Sequence, residues 1–362
     1  MEILMDARVM GTRPSGIGMY IYYLVRELSR YPEFHFALVT DVSESEEMKE
    51  MKDMGMTVYE YGRPISKSIH LFSYYKYVQK CIHMHKPDVF WEGNILVPVK
   101  IVNPYGRMFT TIYDMFPLSD PEHFPKLYSI YFRCGIRQTM KYFDKFIFDS
   151  ENARQETIKY FPEMADRDTF VGYVIVPKLP KLPVSDHGDF LYLGNLETRK
   201  GTDILLKAYH IYRNKGGTRG LRIAGKMREE PVEKLFHEIS ASTPGITYLG
   251  YVTEEERNRE YASCHAFVFP SRAEGFGIPI IEAMNYNKPV LAGELDTLKE
   301  VSGNCISFFT LDGSADISAM RLADLMLEEH VPDTEAYQRI VDFYDAPSVG
   351  QKYAEMLRKL DV

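Results

Sequence analysis

Two carboxylates, Glu274 and Glu282, stand eight positions apart around the turn Ser271-Arg272-Ala273-Glu274-Gly275-Phe276-Gly277-Ile278-Pro279. Gly275 and Gly277 lack Cβ atoms and let backbone N–H groups approach a ligand, and Pro279 suits the first turn of a helix. An ionised carboxylate accepts two hydroxyl hydrogen bonds well, so the vicinal diols of sugars and of ribose are natural partners. The competing reading is a plain helix entry with solvated glutamates. The apolar run 265–270 before the turn reads as a buried strand, and 288–292 after it as another. Strand, glycine turn and helix is how an α/β domain builds an anion or sugar site.

Four further segments carry chemistry. In 192–203, a strand ends at Gly194-Asn195 and is followed by Arg199 and Lys200, two cations that suit a diphosphate, or else a basic surface turn. Gly225-Lys226 again follows a candidate strand. Ser15-Gly16-Ile17-Gly18 opens the first helix without completing a dinucleotide fingerprint. Tyr113-Asp114 closes a strand of the first half, where an ordinary strand end is the bland alternative.

The elements that must position these residues follow from periodicity. Short apolar runs alternate with amphipathic ones from end to end, which argues for βαβ units and parallel sheets. In the first half the pattern predicts strands at 2–6, 35–40, 56–60, 87–91, 108–113 and 145–149, with helices at 17–31, 44–54, 66–86, 123–142 and 151–160. Prolines cluster in 161–187, a linker signature. A second series has strands at 189–194, 221–225, 246–249, 265–269, 289–292 and 306–308. Its helices fall at 201–213, 229–241, 253–262, 279–286, 296–302 and 315–328. A helical tail runs from 334 to 360, interrupted at Pro347. Two doubly wound domains imply ligands at the carboxyl ends of their strands.

Composition excludes some classes. A net charge of −8 gives no footprint for nucleic acid. The four cysteines have no pair spacing, which points to a reducing compartment. No signal-peptide pattern and no long apolar run are present, so a cytoplasmic location is expected. Histidine spacing suggests no metal, and Asp166-Arg167-Asp168 reads as a linker decoy rather than a metal motif.

Together, the ordered motifs G-I-G-x-Y, K-G, A-G-K, F-V-F-P-S and E-G-F-G-x-P-x-x-E-A-M resemble the retaining glycosyltransferases of family 4, the group 1 glycosyl transferases, over nearly the whole chain and most strongly over 190–302. The resemblance implies an α/β GT-B fold, with two doubly wound Rossmann-like domains facing across a cleft. It puts an acceptor-side domain at 1–165, a linker at 166–187, a nucleotide-sugar domain at 188–345 and a C-terminal helix, 346–362, crossing back to the first domain. The implied activity is metal-independent transfer, with retention, from a nucleoside-diphosphate sugar and without a cofactor.

By the same resemblance Glu274 would contact hydroxyls of the donor sugar and Glu282 the ribose. The N–H groups around Gly275, Phe276, Gly277 and Ile278 would hold sugar or phosphate. Lys200, helped by Arg199, would stabilise the departing diphosphate, and Gly16 and Gly18 would let a first-domain loop close on it. Asn195, Gly225, Lys226, Tyr251 and Val252 would surround the nucleotide. Asn195 replaces a usual arginine and Tyr113, beside Asp114, a usual histidine that touches the far end of the donor sugar, which leaves the donor open and favours a 6-deoxy sugar.

A saccharide or lipid-linked acceptor in surface polysaccharide or glycoconjugate assembly is the expectation from family habit. The basic–aromatic stretches 66–86 and 126–145 suit an anionic membrane surface, against the reading that their aromatics face the core. A non-catalytic sugar-nucleotide-binding subunit, or an epimerase of the same fold, is the alternative function.

Overall fold

The computed structural model describes residues 1–14, 16–65, 70–94, 96–97, 99–120, 124–183 and 188–360. The expectations for Ser15, 66–69 with Lys67, 123 and 184–187 lie outside the described residues. The chain divides into two compact units, Met1–Ile175 with Ala346–Val362, and Val176–Asp345.

The first unit runs β1 (Glu2–Asp6), α1 (Gly16–Leu28), β2 (His35–Thr40), α2 (Glu46–Asp53), β3 (Thr57–Glu60), α3 (Leu71–His85), β4 (Val89–Glu92), β5 (Arg107–Ile112), α4 (Phe116–Ser119), α5 (Lys126–Tyr142), β6 (Lys145–Phe148), α6 (Glu151–Tyr160) and β7 (Asp168–Val171). The strands form one sheet in the order β3-β2-β1-β4-β5-β6-β7, with every pair parallel. Parallel strands covered on both faces must be apolar throughout, and Ile3, Leu4, Met5, Val89, Phe90 and Trp91 are each fully buried.

β7 corrects the sequence reading. The segment expected to be linker from 166 supplies this edge strand, paired in register from Lys145↔Asp168 to Phe148↔Val171. A four-residue edge strand with a charged first residue and only partly buried side chains lacks the apolar run that marks its neighbours. Asp168 also has a partner, since its carboxylate accepts from Lys145 Nζ at 2.6 Å.

The second unit runs β8 (Phe190–Leu193), α7 (Thr202–Asn214), β9 (Leu221–Ala224), α8 (Glu230–Ser242), β10 (Ile246–Gly250), α9 (Glu254–Ser263), β11 (Ala266–Phe269), α10 (Ile278–Asn285), β12 (Val290–Gly293), α11 (Asp296–Ser302), β13 (Ser307–Phe309), α12 (Ala315–Leu327) and α13 (Thr334–Phe343). Its sheet order is β10-β9-β8-β11-β12-β13, again parallel throughout. In chain order this is 3-2-1-4-5-6, so the winding reverses between β8 and β11, where such sheets bind ligands beyond the carboxyl ends.

The last helix, α14 (Ala346–Arg358), belongs to the first unit. Pro347 does not interrupt the tail as expected. The break falls at Tyr344–Asp345, and Pro347 sits in the opening turn of α14, where its missing N–H costs nothing. Tyr353 anchors the helix. Its hydroxyl lies 2.7 Å from that of Tyr20, and its ring packs edge-on to Phe170 at 5.3 Å and near Trp91 at 5.9 Å. A Cβ on Gly172 would fall 2.1 Å from that ring.

Candidate functional site

The carboxyl ends of β8, β9 and β10 are tied together by their backbones. Gly194 N–H donates to Ala224 O at 3.0 Å and Gly225 N–H to Gly250 O at 2.8 Å. Gly225 is at φ +144°, and a Cβ there would fall 1.8 Å from Gly194 O, so only glycine lets these strand ends close up. Above them lies a cavity of about 380 Å³, within the range of small-molecule sites. Of the expected residues, Asn195, Gly225, Lys226, Tyr251, Val252 and Glu282 line it. Tyr251 is exposed and carries Lys226 over its ring at 5.0 Å.

Three side chains of this cavity escaped the sequence reading: Arg228, Arg257 and Tyr261. The last two sit on α9, which starts at a capping box between Thr253 and Glu256. Their i,i+4 spacing puts them on one face. Tyr261 donates its hydroxyl to Glu282 Oε2 at 2.9 Å, and Arg257 lies 3.4 Å from Oε1. Burial pushes the Glu282 carboxyl above its ordinary value, with Arg257 and the Tyr261 hydroxyl offsetting part of the rise.

Glu274 occupies a separate neighbourhood. Lys200 Nζ donates to its Oε1 at 2.6 Å and Oε2 at 2.9 Å, and Ser271 Oγ donates to Oε1 at 2.6 Å. Lys200 follows β8 and Glu274 follows β11, the two strands that flank the reversal. The Arg199 guanidinium donates to Glu197 at 2.7 Å and to Ala273 O at 3.1 Å. Gly277, at φ +100°, precedes α10, whose amino end has no side-chain cap and keeps its dipole available to an anion. Phe276 pins the glycine turn edge-on against Tyr344 at 5.2 Å. Among the described residues, the two glutamates thus have different side-chain partners, Lys200 and Ser271 for Glu274 and Tyr261 and Arg257 for Glu282.

In the first unit Gly16 opens α1, and a Cβ on Gly18 would fall 2.5 Å from Val9 O. Asp114 accepts from Phe116 N–H at 3.1 Å. Tyr113 is buried and donates its hydroxyl to Gly93 O at 2.9 Å. At the reversal of this sheet, between β1 and β4, Arg8 lies 3.4 Å from Asp6 and 3.5 Å from Glu92, a buried cluster the sequence reading did not single out. Burial raises the Glu92 carboxyl well above its ordinary value.

A larger cavity, about 720 Å³, opens at the amino ends of β5, β6 and β7 beside α14. It is at the wrong end of the sheet for a doubly wound domain, and Lys145 and Asp168 in its wall neutralise each other. Among the described residues no group of three metal-ligating side chains converges, and no helix is long and apolar enough to cross a membrane.

Residues 187–326 match the family model described as Glycosyl transferases group 1. O-antigen chain mannosyltransferase B of Escherichia coli is 26% identical over 314 residues, 80% of this chain and 81% of that one. O-antigen chain mannosyltransferase RfbU of Salmonella typhimurium is 42% identical over 112 residues, 31% of each chain. Among solved structures, Anabaena HepE in complex with UDP superposes with a TM-score of 0.73 at 16% identity, covering 99% of this chain and 100% of HepE. WaaG, a glycosyltransferase involved in lipopolysaccharide biosynthesis, gives 0.70 at 13% identity, with coverage of 99% and 100%. Residues 187–326 thus match the glycosyl transferases group 1, and the chain has the GT-B fold of these structures.

Proposed function

We propose that the protein transfers a sugar, with retention, from a nucleoside-diphosphate sugar held by the second unit to a saccharide or lipid-linked acceptor in surface polysaccharide assembly. The observation that carries this reading is the Lys200–Glu274 pair, set across the two strand ends at the sheet reversal that also bears the Glu282 cavity. Departure of a diphosphate builds negative charge, and an ammonium fixed beside it stabilises that charge without reorganisation. Glu274, itself accepting from Lys200 and Ser271, receives donor-sugar hydroxyls, and Glu282 receives the ribose. Mannosyl donors, which carry a 6-hydroxyl, rank ahead of the 6-deoxy sugar expected from Tyr113, because the O-antigen relatives are named mannosyltransferases. The wild type should turn over one sugar nucleotide of a panel with UDP, GDP and dTDP carriers. Lys200→Ala should slow it by about 100–1,000-fold, the usual cost of one such group, and Glu274→Ala should abolish it with the fold intact. Product anomers read by NMR decide retention. Binding of a sugar nucleotide without turnover on any donor or acceptor would overturn transfer in favour of a binding subunit.

We also propose that α5 touches an anionic membrane. Its span holds Lys126, Arg133, Arg137 and Lys141 and no carboxylate. Leu127, Ile130, Tyr131 and Cys134 form an exposed row at helical spacing, with Leu127 81% exposed. Such a basic amphipathic face suits a bilayer interface. The aromatics of the two stretches are divided: Tyr74 and Tyr75 of α3, Phe132 of α5 and Phe143 after it are core residues, while Phe72 of α3 is exposed.

A further inference from the structure

We infer that Arg272 and Asp203 form a clamp that sets the spacing of Lys200 and Glu274, making both positioning residues for transfer; the activity part of this inference rests on the function proposed above. Arg272 lies two positions before Glu274 on the loop after β11, and Asp203 lies in the first turn of α7, three positions after Lys200. The guanidinium meets the carboxylate as a fork, NH1 to Oδ1 at 2.6 Å and NH2 to Oδ2 at 2.7 Å. NH1 also donates to Thr198 O, at the start of the short turn that carries Lys200. The main chains join as well, Arg272 N–H donating to Arg199 O at 2.9 Å. Gly201 completes the contact: it is at φ +67°, and a Cβ there would fall 2.0 Å from Pro270 O.

These bonds have a direction of action. The loops follow adjacent parallel strands that pair only through Ala266↔Phe190 and Phe267↔Leu191, well short of the functional side chains. Beyond Leu193 and Phe269, the sheet no longer fixes their separation. The clamp does so three residues from Lys200 and two from Glu274. Arg272 spends its NH1 and NH2 groups on Thr198 and Asp203, so it acts through the geometry of its neighbours. Lysine at this position keeps the charge and loses the fork, which is not a conservative change at a bidentate site.

Arg272→Lys and Asp203→Asn test the clamp on the full chain. Each should lower kcat by about 100-fold, the cost of roughly an ångström of misplacement in the reacting groups. KM for the donor, and calorimetric affinity for UDP, GDP or dTDP at the Glu282 cavity, should change far less. The double variant should be no worse than either single one, because both remove the same bond. A second readout needs no turnover: reductive methylation of Lys200, followed by peptide mass spectrometry, should quicken by about threefold when its pairing with Glu274 loosens. Unchanged kcat and unchanged methylation in both variants would overturn the clamp, as would losses that simply track a fall in melting temperature. A wild type inactive on every donor would sink the transfer reading alone, since faster methylation in the variants would still establish the clamp.

Discussion

Replacing Glu282 with glutamine should weaken nucleotide binding yet leave the fold as stable, or more so. Oε2 already accepts from Tyr261, whereas Oε1 lies 3.4 Å from Arg257, beyond ordinary hydrogen-bond length, and Glu282 lines the cavity. A hydrogen bond to an ionised group contributes about 1.5–3 kcal/mol and a neutral one about 0.5–1.5. Two ribose hydroxyls on glutamine in place of glutamate therefore forfeit roughly 2–3 kcal/mol, about 30- to 150-fold in Kd.

Stability moves the other way. Burial raises the folded carboxyl above its unfolded value, so between those two values the folded protein holds a proton that the unfolded chain has lost. Stability therefore declines as pH rises through that window, and above it the ionised Glu282 is a net cost that glutamine removes. For the ligand the ionised form is the useful one. Wild-type affinity should fall as pH drops through the raised value, and the glutamine variant should be flat there. Calorimetry with UDP, GDP and dTDP across that range, alongside thermal melts, reads both effects. A lower melting temperature with unchanged Kd would refute the reasoning and make Glu282 a strut for Tyr261.

Two other predictions test the frame around this cavity and the proposed membrane face. Gly225→Ala should destabilise the second unit by at least about 2 kcal/mol, because an L-residue is strained at this φ and its methyl meets the carbonyl of Gly194; a denaturant midpoint within error of wild type would contradict the geometry. On α5, Arg137→Gln with Lys141→Gln should reduce binding to phosphatidylserine vesicles by about 2 kcal/mol, roughly 30-fold, at about 1 kcal/mol per charge. Leu127→Glu should reduce it further, and equal sedimentation of all three proteins with vesicles would refute the surface.

Most of the architecture was legible because parallel strands buried on both faces write themselves as apolar runs. β1 and β2 fall on 2–6 and 35–40 as read, and most other ends shift by a few residues. The same signal explains the miss at β7. An edge strand half open to solvent has no such run, and the prolines at 162, 177, 180 and 183 dominate its surroundings. At Pro347 the mistake was one of phase: proline stops a helix from within but starts one from its first turn, and sequence alone does not say on which side of Tyr344 the break falls.

At the site, what could be read was the set of groups that sit on strand ends, since glycine and a charge just after an apolar run mark a functional loop. What could not be read was which partners those groups choose. Arg199 and Lys200 are adjacent cations, yet Lys200 donates to Glu274 while Arg199 donates to Glu197 and to the Ala273 carbonyl. Arg257 and Tyr261 lie on α9, whose first turn is Glu254, Glu255 and Glu256 and which looks like a solvated surface helix. The face that α9 turns inward is set by tertiary packing, which places the Tyr261 ring edge-on to Phe267 of β11 at 5.2 Å and its hydroxyl on Glu282. A cavity residue on a crossover helix is thus fixed by the neighbouring strand, a contact with no short-range trace in the sequence.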